Sequence, residues 1–283
     1  MSTPRQVTPV QAIKVRPGRS ARLPEMLATE EPMEIRVAGP GQEPVPVAVT
    51  MRTPGNDFEL ATGFLVTEGL ASPAEVAGAG YCDSVRDEEA RFNTVTVALH
   101  RRWERTGPVR AFTASASCGV CGKTSIGEVE LSCQAVAPAV PVPASLISAM
   151  PARLRETQRV FEQTGGLHAA GLFGADGSLW WVREDIGRHN AVDKIAGRTV
   201  IAGKAGEDVP DPVAACVLMV SGRVSFEIVQ KVAMMGVGVV AAVSAPSSLA
   251  VAAAERLGVA VVGFVRDGSY NIYSGAERLD VGR

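Results

Sequence analysis

Two thiols three positions apart stand in the run Ser117-Cys118-Gly119-Val120-Cys121-Gly122, with Lys123 directly after it. The thiolate is the reactive form of cysteine, and a neighbouring cation or a helix N-terminus lowers its pKa. Each cysteine precedes a glycine, which allows backbone angles closed to other residues. This setting suits a sulfur that must reach a large partner. Three chemistries compete for the pair. A structural zinc site wants four ligands, but Cys82 and Cys133 are single and there is no second Cys-x-x-Cys. Dithiol–disulfide exchange wants a thioredoxin-like βαβ setting, whereas the segments before Cys118 read as antiparallel β structure. In a sulfur relay, one thiolate accepts a sulfane sulfur as a persulfide and a second cysteine resolves or shares it.

A second constellation is Arg183-Glu184-Asp185-Ile186-Gly187-Arg188-His189-Asn190-Ala191-Val192-Asp193-Lys194, in a chain with only three histidines. His189 with Asp185 or Glu184 is a candidate for proton transfer or ligand orientation. Arg188 is a candidate contact for phosphate or pterin. The competing reading is a solvated helix start capped by Asp185 with a local salt bridge. His168 reads as a structural histidine.

A third group of candidates lies in three loops. From residue 214 onward the pattern alternates regularly: strand 215–220, helix 225–235, strand 237–243, helix 246–257, strand 259–264. This predicts a βαβαβ unit with parallel strands. The loops after its strands carry Ser221-Gly222-Arg223, Ser244-Ala245-Pro246 and Phe264-Val265-Arg266-Asp267-Gly268-Ser269. Ligands bind outside the carboxyl ends of parallel strands, and free N–H groups at helix N-termini attract anions. Two of the loops carry arginine, which matches phosphate geometry. The pattern suggests a phosphorylated ligand, against the plainer reading of ordinary capping chemistry. The string Gly236-Val237-Gly238-Val239-Val240-Ala241 imitates a dinucleotide fingerprint, but it follows a helix and opens a strand, the reverse of the required context.

The rest of the chain must position these groups. Residues 1–29 read as a flexible tail. Strands are expected at 32–37, 43–52, 93–99 and 109–115, and a helix at 58–69 with Asp57 as N-cap. A proline-rich run, 135–143, marks a boundary. The resulting division is a tail at 1–29, a β-rich domain at 30–136 ending in the cysteine loop, a linker at 137–144 and an α/β domain at 145–283. In the last domain, 145–164 reads as helical with an interruption near Pro151, and 169–173 and 178–182 as a hairpin around Asp176-Gly177. The fold class is α/β, or α+β overall.

Composition narrows the function. The chain has 283 residues, 46% hydrophobic, with a formal net charge of −2. That balance argues against nucleic acid and anionic membrane as partners. Residues 1–31 carry no signal-peptide pattern, and Pro246, Glu255 and Arg256 interrupt the most apolar run. Five cysteines without framework spacing imply reduced thiols in a cytoplasmic protein.

Taken together, the motifs resemble the FdhD family of formate dehydrogenase accessory proteins. The resemblance rests on Ser117 to Gly122, on Arg52-Thr53-Pro54-Gly55-Asn56-Asp57, on Gly165-Gly166-Leu167-His168, on the run from Glu184 to Lys194, and on Ser221-Gly222-Arg223, Ser244-Ala245-Pro246 and Gly263-Phe264. It implies a sulfurtransferase that takes sulfur from a cysteine desulfurase. The sulfur then passes to the molybdenum cofactor, in its bis-guanine-dinucleotide form, before insertion into formate dehydrogenase. Cys118 would carry the persulfide with Cys121 assisting, and Phe264 to Ser269 would bind the cofactor. The resemblance also implies a cytidine-deaminase-like C-terminal domain, a homodimer and no metal held by the protein itself. Deaminase chemistry is not carried over, because the His-x-Glu element is missing.

Overall fold

The computed structural model describes residues 5–82, 92–104, 112–114, 133–211 and 213–282. Two mixed sheets form the body of the chain. The first has the order β5-β6-β3-β4-β7, from β3 (Glu31–Ala38), β4 (Val45–Arg52), β5 (Val76–Tyr81), β6 (Thr94–Leu99) and β7 (Phe112–Ala114). Alternation in β3 and β6 turns Met33, Ile35, Val37, Val95, Val97 and Leu99 to one buried face. Helix α1 (Asp57–Thr67) covers that face with Leu60, Ala61, Leu65 and Val66. Its N-cap is Asn56, held at φ 58°, rather than the expected Asp57. The Asp57 carboxylate is instead engaged by the buried Arg52 guanidinium at 3.1 and 3.2 Å.

The second sheet has the order β10-β9-β11-β12-β13-β14. Its strands are β9 (His168–Phe173), β10 (Leu179–Asp185), β11 (Val217–Val220), β12 (Val239–Ala242), β13 (Ala260–Arg266) and β14 (Ser269–Ser274). Three helices, α5 (Arg188–Lys204), α6 (Phe226–Met234) and α7 (Ser248–Leu257), bury apolar residues against one face. The other face is covered by α2 (Ala144–Ile147) and α3 (Met150–Thr157), and α4 (Arg159–Thr164) follows α3. The strands β11, β12 and β13 pair in parallel, as the alternating pattern predicts. No helix among the described residues is long and apolar enough to cross a membrane.

Three expectations change. Residues expected as a flexible tail form an antiparallel ribbon of β1 (Val7–Arg16) and β2 (Arg19–Ala28). Pro17 favours the first turn position and Gly18, at φ 75°, supplies the left-handed second. The ribbon has little core of its own, with Ile13 and Val15 63% and 77% exposed, so its pattern does not announce it. It is anchored where β2 meets α4 and where Thr29 N–H donates to Gln6 O at 2.9 Å. The run expected as a proline-rich linker at 137–144 is pinned to the second sheet's side of the molecule. Arg278 Nη2 donates to Val136 O and Ala137 O, and β8 (Val142–Pro143) pairs with β15 (Leu279–Asp280). Finally, 264–269 is not an open loop but the tip of the β13–β14 hairpin. Asp267 and Gly268 take φ 50° and 78°, the pair of positive angles that a two-residue primed turn requires.

The two halves meet where α1 crosses α5 at backbone contact. A Cβ built on Gly63 would stand 1.8 Å from Asp193 O, and one on Gly197 1.8 Å from Glu59 O. Arg183 closes the same seam by pairing with Glu59. Neither helix backbone can yield without moving its sheet, so Gly63→Ala is expected to cost about 3 kcal/mol, at the upper end for overpacking. Chemical denaturation of the variant checks this, and a loss below about 1 kcal/mol contradicts the crossing.

Candidate functional site

Strand directions gather the candidate residues on one edge of the second sheet. β9 is antiparallel to both β10 and β11, β11 to β13 are parallel, and β14 runs against β13. The carboxyl ends of β10 to β13 therefore share an edge with the first residues of β9 and β14. His168, Arg188, His189, Ser221, Gly222, Arg223, Ser244 and the tip at 264–269 all lie along it. From β10 to β13 is four inter-strand steps, about 19 Å at roughly 4.8 Å each. The edge fits an elongated ligand.

The loops are tied together by main chain and small side chains. Ala169 N–H donates to Ser221 Oγ at 2.9 Å, and Ser221 N–H donates back to Ala169 O at 3.0 Å. Ser247 N–H donates to Val224 O at 3.0 Å, and Phe264 N–H to Ser244 O at 3.2 Å. Gly222 lies between His168, expected as structural, and the candidate Arg188, since a Cβ there would stand 3.4 Å from His168 Nδ1 and 4.0 Å from Arg188 Cδ. Helices α5 and α6 start on this edge without side-chain caps, leaving their first N–H groups for an anion. Arg223 and Arg266 are exposed, and the Arg266 guanidinium is 5.9 Å from the centre of the Phe264 ring. Phe264 is held at φ 54°, an uncommon angle for a bulky residue. Val265 is fully buried in the core, so only its backbone is available to a ligand.

The polar corner divides into clasps and edge groups. Glu184 accepts from the N–H groups of Val160 and Phe161 at 3.0 and 2.8 Å, fixing α4. Asp185 pairs with the fully buried Lys194 at 2.7 Å and accepts from Thr53 N–H at 3.2 Å. Asn190 donates to Met51 O at 2.8 Å, while Asp193 binds Thr67 Oγ1 and the Lys231 ammonium at 2.6 and 2.9 Å. Burial alone would lower the Lys231 pKa, but the Asp193 and Glu68 carboxylates outweigh it and hold it raised. Glu184 is taken up by α4 and Asp185 by Lys194 and Thr53, so the expected pairing of His189 with Asp185 or Glu184 does not form. His189 Nε2 instead lies 3.4 Å from Ser225 Oγ. Burial, reinforced by Lys231 and Arg188, pushes its pKa down to about 3, leaving a neutral imidazole at pH 7. His168 is lowered too, by burial and by Arg188.

Beside the edge a cleft of about 570 Å³ opens between α3, α4 and the sheet, reaching His168 and Ser221. Arg155, Gln158 and Phe161 on its wall went unseen in the sequence, because only the folded α3–α4 turn brings them to the strand ends. Cys118 and Cys121 lie outside the described residues. The described cysteines are Cys82, Cys133 and Cys216. Burial raises the Cys133 thiol and pushes Cys216 up to about 11, away from the thiolate form.

Comparison with known proteins gives a consistent match. The family model of the FdhD/NarQ family matches residues 28–280. The "Sulfur carrier protein FdhD" of Mycolicibacterium paratuberculosis is 48% identical over 269 residues, covering 93% of this chain and 94% of that protein. The protein of the same name from Streptomyces coelicolor is 46% identical over 277 residues, covering 95% and 94%. A crystal structure from Desulfotalea psychrophila, of a protein described as a formate dehydrogenase accessory protein, superposes with a TM-score of 0.70. It covers 97% of this chain and 100% of that one at 23% identity, a likeness of fold.

The electrostatics of His189 give a direct test. Its folded pKa is below the ordinary 6.5, so the unfolded chain takes up the proton first as pH falls. Stability should drop by up to about 1.4 kcal/mol per pH unit from this group between roughly pH 6.5 and 3, and His189→Gln should remove that slope. NMR titration should find the His189 ring still neutral at pH 5. Titration near 6.5 contradicts the buried contact.

Proposed function

The chain belongs to the FdhD/NarQ family, and from that premise we propose that it carries sulfur for the maturation of a formate dehydrogenase. In this reading a cysteine desulfurase supplies the sulfur as its own persulfide. The Cys118 thiolate attacks the terminal sulfur, the donor's S–S bond breaks, and the donor thiolate leaves. The acceptor is the molybdenum cofactor in its bis-guanine-dinucleotide form, held as substrate. For delivery as hydrosulfide, the Cys121 thiolate attacks Cys118 Sγ. A Cys118–Cys121 disulfide forms, supplying the two electrons, and a thiol reductant restores it.

The observation that carries the proposal is the shared edge. Its loops at Ser221, Gly222, Arg223 and Ser244 and its hairpin tip from Phe264 to Ser269 would receive the phosphates, with Arg188 and neutral His189 toward the pterin end. A span of about 19 Å suits a dinucleotide better than a single phosphate. Covalent reach supports the partnership with the cysteines. Ala114 pairs with Thr50, and Thr50 Oγ1 donates to Asn190 Oδ1 at 3.3 Å, one residue from His189. Cys118 follows four residues after Ala114 in the sequence.

Incubation with a cysteine desulfurase and cysteine should add the mass of one sulfur atom to the protein, and Cys118→Ala should abolish both that gain and activation of apo formate dehydrogenase. A Cys118→Ala protein that still activates the enzyme would instead mark a cofactor escort without sulfur chemistry.

A further inference from the structure

The proposed site makes no use of the ribbon of β1 and β2. The ribbon ends at Ala28, where the family match begins, so it lies outside the stretch that defines the family. Its ten residue pairs give it a length of about 30 Å, at roughly 3.4 Å per residue. A two-stranded sheet is marginal in water on its own, so this one calls for a cover. Its root is held by both halves of the molecule. A Cβ on Gly166, two residues before His168, would stand 3.8 Å from Ala28 Cβ, and one on Gly55, in the turn before α1, 2.9 Å from Gln6 Nε2. Beyond the root, the pairing sets Ile13, Val15 and Arg22 on one face and Lys14, Arg16 and Arg19 on the other. All six are exposed. Lys14 pairs with Glu25, whereas Arg16, Arg19 and Arg22 have no carboxylate partner among the described residues. Four cations against one carboxylate give the ribbon a formal charge of +3 in a chain of −2, which leaves −5 for the rest.

An apolar centre among arginines is the anatomy of a protein interface, where arginine is enriched and lysine depleted. Other covers fit less well. A proline cannot donate to the ladder, so Pro9 in β1 and Pro24 in β2 each face outward with no N–H, which blunts both edges against an added strand. The remaining open-edge N–H and C=O groups bar the ribbon from the hydrocarbon of a membrane. Residues 1–30 hold no aromatic ring on which a nucleic-acid base could stack. We propose that the ribbon is a docking arm that seats on an acidic protein surface with an apolar centre, on the enzyme that accepts the sulfur. The assignment rests on the proposed function, of which it names the partner-binding part. The root points to the acceptor rather than the donor. It lies beside Gly166 and so close to His168, which puts a partner held by the arm next to the edge proposed to hold the cofactor.

Surface plasmon resonance between the full chain and apo formate dehydrogenase tests it. Binding should weaken from low to physiological salt, because exposed charges are screened. Two variants probe the arm, one with Ile13→Ser and Val15→Ser together, the other with Arg16→Glu, Arg19→Glu and Arg22→Glu together. Each should weaken binding about tenfold or more. Both change exposed side chains, so circular dichroism and the gain of sulfur from the desulfurase should match the parent chain. Variants that bind the enzyme as tightly as the parent overturn the arm. So do variants that keep that binding but lose the gain of sulfur, which would assign the ribbon to the donor. A halved mass by light scattering in both variants also overturns it, since the ribbon would then hold a second copy. Cys118→Ala separates the two claims. If it fails to activate the enzyme while the arm variants bind normally, sulfur carriage stands and the arm falls. If it still activates while the arm variants lose binding, the arm stands and sulfur carriage falls.

Discussion

The structure depends on one close approach, the crossing of α1 over α5 at Gly63 and Gly197. Around that crossing, buried charges from one half find their partners in the other. Thr53 meets Asp185 and Lys194, while Thr67 and Glu68 meet Lys231 and Asp193. Buried ion pairs add little net stability, since desolvation cancels most of the attraction. A misaligned joint, however, would strand a buried charge at a cost of about 3–5 kcal/mol. The seam therefore selects a single register between the sheets more than it strengthens the fold.

That register has a functional consequence. Lys194 and Asp185 lie where β10 passes into α5, so the seam that joins the sheets also shapes the edge. The same twelve-residue run supplies the clasps Glu184, Asp185, Asn190, Asp193 and Lys194 and the edge groups Arg188 and His189. It also brings the end of β7, four residues before Cys118, into the strand layer that touches α5 through Thr50. The joint thus holds the end of β7 and the strand-end edge in one fixed relation.

Much of this was legible as local period. The strands and helices after residue 214, the Asp176-Gly177 hairpin and the break near Pro151 follow from apolar spacing and turn residues alone. The ribbon at 7–28 was not, because a strand pair without a buried face has no hydrophobic alternation to read. The hairpin tip was missed because Asp267-Gly268 stands in a polar run that also suits a loop. Glu184 and Asp185 read as partners for His189 because they are neighbours in sequence. Their actual partners, Thr53 and the α4 backbone, are distant in the chain, and only the folded chain reveals them. The same holds for the cleft, whose walls come from α3, α4 and three strand ends. The shared edge was legible in outline, since the loops that follow the strands of a parallel unit lie on one side.

The most direct measurement of the central claim is a crystal structure of the full chain with guanosine diphosphate bound. The account predicts the phosphates against the backbone N–H groups of the loops that follow β11, β12 and β13, with Arg266 or Arg223 closing over them. A nucleotide bound on the first sheet, or on the opposite ends of these strands, would contradict it.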